Sequence, residues 1–304
     1  MTLTQSPTTA ASTPEEIGTG AVLYVVATPI GNLEDLSPRA ARILCDVAFV
    51  AAEDTRRTAT LLRHVGSHAA MLVADEHHEQ RAAQKIAQHL AAGDSVALVS
   101  DAGTPAISDP GGRIVAAIRA VGHRVVGVPG ACAAAAALSI AGLTHAGGGW
   151  IFAGFLPTKT QERLRVLAGW KARAGNDLAL VFYEAPHRID ATLTALADVF
   201  GAERDVLIAR ELTKIFEESV RLPLGEALTW LNADPHHARG EFVLVIYPPA
   251  EQPPAVAGLD DDADKVVRTL VEAGLPTKQV AQIAQQLTGV PKDALYQRAL
   301  DLKA

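Results

Sequence analysis

Residues 95–121 place the strongest limits on the fold of this chain. A β-branched, apolar run over Ser95–Val99 leads into S-D-A-G-T-P-A-I-S-D-P-G-G, Ser100–Gly112, and an apolar helical pattern, Arg113–Val121, leaves it. The order is strand, long turn, helix. Open α/β sheets place their ligands in such turns, at the carboxyl ends of strands. Gly103, Gly111 and Gly112 permit close backbone approach, while Pro105 and Pro110 stiffen the turn. Asp101 and Asp109 offer acceptors to a ligand or to the turn itself. Thirteen residues is long for a purely structural connection, and long ordered loops tend to be functional. The turn is therefore read as a ligand site.

The same unit recurs along the chain. Ala21–Ala27 is a buried-strand pattern ending in T-P-I-G-N, Thr28–Asn32, and Ser37-Pro38 starts a helix through Cys45 with Ser37 as cap. A strand over Val47–Ala51 ends in the polar cluster Glu53–Thr58, and a helix over Glu79–Ala92 stops at Gly93. A strand over Arg124–Val128 ends in Pro129-Gly130, followed by an Ala-rich helix, Ala131–Ala141. Strands alternating with helices predict a mostly parallel sheet whose polar and Gly/Pro turns meet at one edge.

After a glycine-rich hinge at Thr144–Gly149, a second series begins. Ile151–Pro157, a helix in Thr160–Ala174, and a strand over Asp177–Tyr183 lead into Glu184–Arg188 and a helix to about Phe200. A strand over Val206–Ala209 runs into Arg210–Lys214, and Glu241–Tyr247 closes the series. Pro248–Asp262 reads as a linker and Ala263–Ala304 as two or three short helices. The expected organisation is a disordered tail (1–20), two α/β domains (21–146 and 147–248), a linker (249–262) and a small helical domain (263–304).

Charge and missing motifs narrow the chemistry. A formal net charge of −7 argues against a generally basic nucleic-acid binder and leaves room only for local patches. One such patch is the C-terminal segment, with six Lys/Arg against four Asp/Glu. No run approaches the roughly 18 apolar residues of a membrane helix. The first twenty residues lack the basic start and apolar core of a signal peptide, so a cytoplasmic protein is expected, with Cys45 and Cys132 as buried free thiols. G-x-x-x-x-G-K-[ST], an early G-x-G-x-x-G and H-E-x-x-H are all absent, and the paired histidines His77-His78 and His236-His237 lack helical metal-ligand spacing. No metal site is expected. The residues alone support an α/β enzyme with a small-molecule site between two domains.

Seven motifs in order carry a resemblance. T-P-I-G-N (Thr28–Asn32), E-D-T-R (Glu53–Arg56), S-D-A-G-T-P-A-I-S-D-P-G (Ser100–Gly111) and V-P-G (Val128–Gly130) resemble the tetrapyrrole-methylase-type methyltransferases. Y-E-A-P-H-R (Tyr183–Arg188), R-E-L-T-K (Arg210–Lys214) and G-E-F-V (Gly240–Val243) resemble the branch that modifies ribosomal RNA at a cytidine 2′-hydroxyl. The resemblance spans Ala21 to about Tyr247, and the helical tail is similar as well. One departure is Ala131-Cys132-Ala133, where the family pattern has a small polar residue.

The resemblance implies two α/β domains with the cofactor cleft between them, plus the helical C-terminal domain. It implies S-adenosyl-L-methionine as cofactor and a homodimer acting on 16S rRNA in the 30S subunit, with no membrane association. Carried over residue by residue, the cofactor side comprises Pro29, Asp101, Ala102, Gly103, Thr104, Ile107, Pro129, Gly130 and Ala185. A ribose hydroxyl is a poor nucleophile at neutral pH, so a general base is expected, with Asp54, Glu184, Glu211 and Lys214 as candidates. Arg56, Arg57, Arg188, Lys278 and Lys292 are candidate RNA contacts, and internal pairing with the candidate carboxylates competes for Arg56 and Arg57, as it does for Arg210. Two other functions stay open: methylation of a tetrapyrrole or protein, and a non-catalytic cofactor-sensing or ribosome-assembly module.

Overall fold

The computed structural model describes residues 20–144, 149–249 and 261–303. The expected tail, the centre of the expected hinge and most of the expected linker lie outside the described residues.

The chain forms two compact units, Met1–Pro248 and Pro249–Ala304. The first unit holds two five-stranded sheets. In the first sheet, strands β1 (Val22–Val26), β2 (Phe49–Ala52), β3 (Ala70–Val73), β4 (Val96–Val99) and β5 (Arg124–Val128) lie in the order β3-β2-β4-β1-β5. All of its pairings are parallel. Helices α1 (Pro38–Asp46), α2 (Thr55–Val65), α3 (Glu79–Ala91), α4 (Gly112–Ala120) and α5 (Ala133–Ile140) follow the strands in turn.

Parallel strands covered by helices on both faces read as unbroken apolar runs, and β4 is one: all four of its residues are buried. Leu23, Val96 and Leu98 pack with Ile86, Ile114 and Ile118 on one side. Val26, Val50 and Val99 pack with Ala40, Leu44 and Leu62 on the other. Ser37 caps α1 as expected, its hydroxyl accepting the Ala40 N–H at 3.1 Å, with Pro38 in the first turn.

The second sheet comprises β6 (Trp150–Phe155), β7 (Ala179–Glu184), β8 (Asp205–Arg210), β9 (Glu218–Pro223) and β10 (Phe242–Ile246), in the order β6-β7-β10-β8-β9. Only β6 and β7 pair in parallel; the other pairings are antiparallel. Helices α6 (Thr160–Ala174), α7 (Ile189–Phe200) and α8 (Leu224–Ala233) accompany it, and Leu167, Phe182, Leu193, Ile208 and Leu244 centre its core. Among its described residues the second unit has three helices, α9 (Asp261–Glu272), α10 (Thr277–Thr288) and α11 (Lys292–Asp301), around Val267, Val280, Ala284 and Leu295. Among the described residues, no helix is long and apolar enough to cross a membrane.

Four elements are not expected from the sequence: α2, β3, β9 and α8. The cysteines need correction too. Cys45 is exposed and Cys132 half-buried, not buried. On α1 the inward face is filled by Ala40, Ile43 and Leu44, which leaves Cys45 turned outward with its thiol on the Val65 carbonyl at 3.2 Å. Helix α5 starts at Ala133, two residues later than expected, because Cys132 is extended and the Ala131 carbonyl is taken by the Thr104 hydroxyl at 3.0 Å.

Candidate active site

The loop after β4 is fastened from several directions. Thr28 and Gly103 exchange backbone hydrogen bonds, Thr28 N–H to Gly103 at 2.8 Å and Gly103 N–H to Thr28 at 3.0 Å. The Thr28 hydroxyl adds a bond to the Ser100 carbonyl at 3.2 Å. At the far end, Glu79 of α3 accepts the Gly111 N–H at 2.7 Å. Gly103 has φ +83°, where glycine is favoured, but Ala106 (φ +67°) and Ser108 (φ +63°) are left-handed without that freedom. Such strain persists where surroundings over-determine the backbone, and it clusters at ligand sites.

A cavity of about 300 Å³ opens against this loop. Ile30, Ala102, Gly103, Thr104, Ile107 and Asp109 form one side. Phe155, Tyr183, Ala185, Leu212, Lys214 and Phe242 contribute from the second sheet and its turns. Small-molecule sites share this size and this mixture of apolar wall and few polar groups. The Tyr183 hydroxyl accepts the Ala134 N–H at 3.0 Å, and its ring meets Phe152 and Phe155 edge-on at 4.8 and 5.7 Å. Burial holds the Tyr183 phenol far above its ordinary pKa, so it stays neutral.

The carboxylates divide into paired and unpaired sets. Asp54 grips Arg56 at 2.8 and 3.1 Å, which lowers its pKa to about 2. Asp101 accepts the Asp54 N–H at 2.9 Å and lies 3.5 Å from Arg57. Glu184 is buried and accepts from the Thr192 hydroxyl at 2.6 Å and the Ala185 N–H at 2.8 Å, with Arg188 Nε at 3.0 Å. Lys214 bridges Glu211 at 2.7 Å and Glu241 at 3.0 Å. Burial opposes the Lys214 charge, yet the two carboxylates win and raise its pKa. Asp109 differs: burial above all pushes its carboxyl up to about 6, and the charges of Glu53 and Asp101 add to that against a Ser100 hydrogen bond.

The structure gathers part of the expected site. Ala102, Gly103, Thr104, Ile107 and Ala185 line the cavity together with Glu184 and Lys214. Pro29, Asp101, Pro129 and Gly130 stand in the adjoining turns rather than on the wall, and so do Asp54 and Glu211. Arg56 and Arg57 are exposed at the start of α2, whereas Arg188 is folded inward onto Glu184. In the second unit Lys278 is exposed and Lys292 half-buried, and Arg298 is held by Asp264 at 2.7 Å. Sequence reading does not single out Phe155, Glu241 or Glu79. Glu241 lies inside the quoted G-E-F-V and Phe155 inside the stretch Ile151–Pro157; Glu79 carries no local signal, since its partner is Gly111, 32 residues away. Among the described residues no His/Cys/Asp/Glu cluster could hold a metal ion.

Residues 22–228 match the model for the Tetrapyrrole (Corrin/Porphyrin) Methylases, and residues 257–303 match the RsmI C-terminal HTH domain. The solved structure of the methyltransferase CobJ shares the fold with a TM-score of 0.57 at 20% identity, covering 76% of this chain and 95% of that one. Uroporphyrin-III C-methyltransferase from Thermus thermophilus, complexed with S-adenosylhomocysteine, gives a TM-score of 0.50 at 19% identity over 75% of this chain and 97% of its own. The fold is thus that of a tetrapyrrole methylase. Ribosomal RNA small subunit methyltransferase I of Pseudomonas aeruginosa is 46% identical over 278 residues, 91% of this chain and 96% of its own length. The chain belongs to the ribosomal RNA small subunit methyltransferase I family within the tetrapyrrole methylases.

Proposed function

We propose that this protein methylates small-subunit ribosomal RNA from S-adenosyl-L-methionine, at the ribose 2′-hydroxyl of a decoding-centre cytidine in 16S rRNA. The observation that carries the reading is one cavity joining the 101–109 loop to Ala185 and Lys214, in a chain 46% identical to a ribosomal RNA small subunit methyltransferase I. The residues fit the cofactor. A Cβ at Gly103 would stand 3.3 Å from Ile30, and one at Gly130 would stand 2.9 Å from Ala27, so both turns pack this closely only as glycine. Phe155 presents a half-exposed ring to the cavity, suited to a flat heterocycle. When bound, S-adenosylmethionine supplies an activated methyl group on a sulfonium.

The chain's own residues then bind and orient. Gly103, Thr104 and Ala102 offer backbone groups to the cofactor, with Ile107 and Ala185 closing over it. Fixing donor and acceptor in line contributes much of the rate in such displacements, roughly 7–11 kcal/mol in well-aligned cases. Lys214, kept cationic by Glu211 and Glu241, is suited to hold a phosphate beside the reacting ribose rather than to remove a proton. Exposed Arg56, Arg57 and Lys278 are further phosphate contacts in this reading, as is Lys292, while Arg188 serves to anchor Glu184. With a net charge of −7, affinity for RNA rests on local patches and on shape, which favours an assembled 30S particle in the cytoplasm over naked RNA. A homodimer belongs to the same reading, on the strength of the motif resemblance.

The test is methyl transfer in vitro. The full chain is incubated with isotopically labelled S-adenosylmethionine and 30S subunits lacking the modification, and the RNA is digested to nucleosides. Label in 2′-O-methylated cytidine is the expected result. Label on a base, on ribosomal protein or nowhere overturns the reading.

A further inference from the structure

Methyl transfer to a ribose hydroxyl releases a proton, and six titratable side chains line the cavity: Asp109, Cys132, Tyr183, Glu184, Lys214 and Glu241. Most are already committed. Glu184 is 2% exposed and surrounded by donors from Thr192, Ala185 and Arg188. Lys214 is a cation between two carboxylates, and exposed Glu241 is one of the two. The Tyr183 hydroxyl holds the Ala134 N–H, and the Cys132 thiol rests against that hydroxyl at 4.0 Å. Asp109 remains. Among the described residues no cationic side chain pairs with it.

Its placement is fixed as well as free. Asp109 sits between left-handed Ser108 and Pro110, whose carbonyl accepts the Ala106 N–H at 3.2 Å. The loop around it is pinned at Gly103 by Thr28 and at Gly111 by Glu79. The groups that face Asp109 are the Ser100 hydroxyl, the carboxylates of Glu53 and Asp101, and, across the cavity, Tyr183. Partial burial first, and two neighbouring negative charges after it, raise its proton affinity into the range where a general base works best at neutral pH.

We infer that Asp109 is the catalytic base of this site, taking the proton of the ribose 2′-hydroxyl as the methyl group arrives. The inference rests on the methyl-transfer reading above. The ribose O–H bond breaks and its proton passes to an Asp109 carboxylate oxygen. The ribose oxygen forms the new O–CH₃ bond, the S–CH₃ bond breaks, and that electron pair stays on sulfur. A carboxylate and a sulfonium thus become a neutral acid and a neutral thioether. The assignment moves the base away from Asp54, Glu184, Glu211 and Lys214, each of which is held in an ion pair.

The experiment compares the full-length wild type with Asp109→Asn on 30S subunits, from pH 5 to 8, with S-adenosylhomocysteine affinity measured by calorimetry. The expected result is a kcat lowered about 10²–10⁴-fold with cofactor affinity unchanged. Wild-type rate should rise with pH to a plateau above about 6, and carboxyl ¹³C NMR should show one aspartate titrating there that the variant lacks. Turnover retained in Asp109→Asn, or cofactor affinity lost in step with turnover, overturns the assignment. Should Asp109→Asn not fold, Asp109→Glu replaces it in assigning the resonance, and titration of that aspartate in the ordinary range near 4 overturns it equally. A wild type that methylates no ribose sinks the substrate reading, and the base with it. A wild type that does, alongside an active Asp109→Asn, sinks the base alone.

Discussion

The buried carboxylate of Glu79 accepts the Gly111 N–H at 2.7 Å and thereby ties helix α3 to the end of the loop that walls the cavity. Its second oxygen lies 3.7 Å from exposed Arg113. Glu79→Ala leaves a buried backbone donor without a partner, which should destabilise the fold by about 1–3 kcal/mol. Because the loop is its partner, S-adenosylmethionine affinity should fall too, and Glu79→Gln should recover part of both. Urea unfolding and calorimetry check this, and an unchanged affinity in Glu79→Ala would show that the loop keeps its shape without the tether.

Gly240 controls Lys214 at one remove. It has φ +88°, and a Cβ there would stand 2.6 Å from Glu211 Oε1. Glu211 can swing aside, but only by leaving Lys214 and the Glu241 N–H that it accepts at 3.0 Å. Gly240→Ala is therefore expected to weaken binding of 30S subunits while leaving S-adenosylhomocysteine affinity close to wild type. Filter binding and calorimetry on the same preparation separate the two.

Much of the scaffold was legible because parallel strands buried on both faces must be apolar throughout: β1 and β4 announce themselves. So does α6, whose bounds agree with the sequence reading. Strand β3 was hidden because it is an edge, with three of its four residues exposed and no alternation to reveal it. Strand β9 is polar and only half-buried, and α8 begins after Pro223 with no side-chain cap, so neither carries a strong local signal. In the site, the glycines and prolines of 101–112 were visible as a pattern. What distinguishes Asp109 from Asp101 and Asp54 was not, since it depends on which arginines lie within reach once β2 and β4 pair.

Acid should weaken the helical unit through Asp264. Hydrogen bonds from Arg298 and Arg268, both at 2.7 Å, lower its pKa to about 2. A depressed carboxyl adds stability that is fully present above the unfolded value near 4 and is lost as pH falls toward about 2. The gain is modest, because both ion pairs are partly exposed and screened by solvent. Asp264→Asn should flatten the acid limb of unfolding between roughly pH 4 and 2, followed by circular dichroism.

Asp109 should have the opposite sign. Its folded pKa, about 6, lies above the unfolded value, so the folded state holds more protons through that window and stability falls as pH rises. Asp109→Asn removes the burial of charge and should melt higher than wild type at pH 7. The difference should vanish at pH below about 4. Calorimetric melting at the two pH values gives the result, and a variant less stable at pH 7 would contradict the environment assigned to Asp109.

The most direct measurement of the central claim is mass-spectrometric nucleoside analysis of 16S rRNA from cells lacking this protein, beside the parent strain. The account predicts loss of one 2′-O-methylated cytidine derivative, restored by the wild-type chain and not by Asp109→Asn. An identical modification profile in both strains would contradict it.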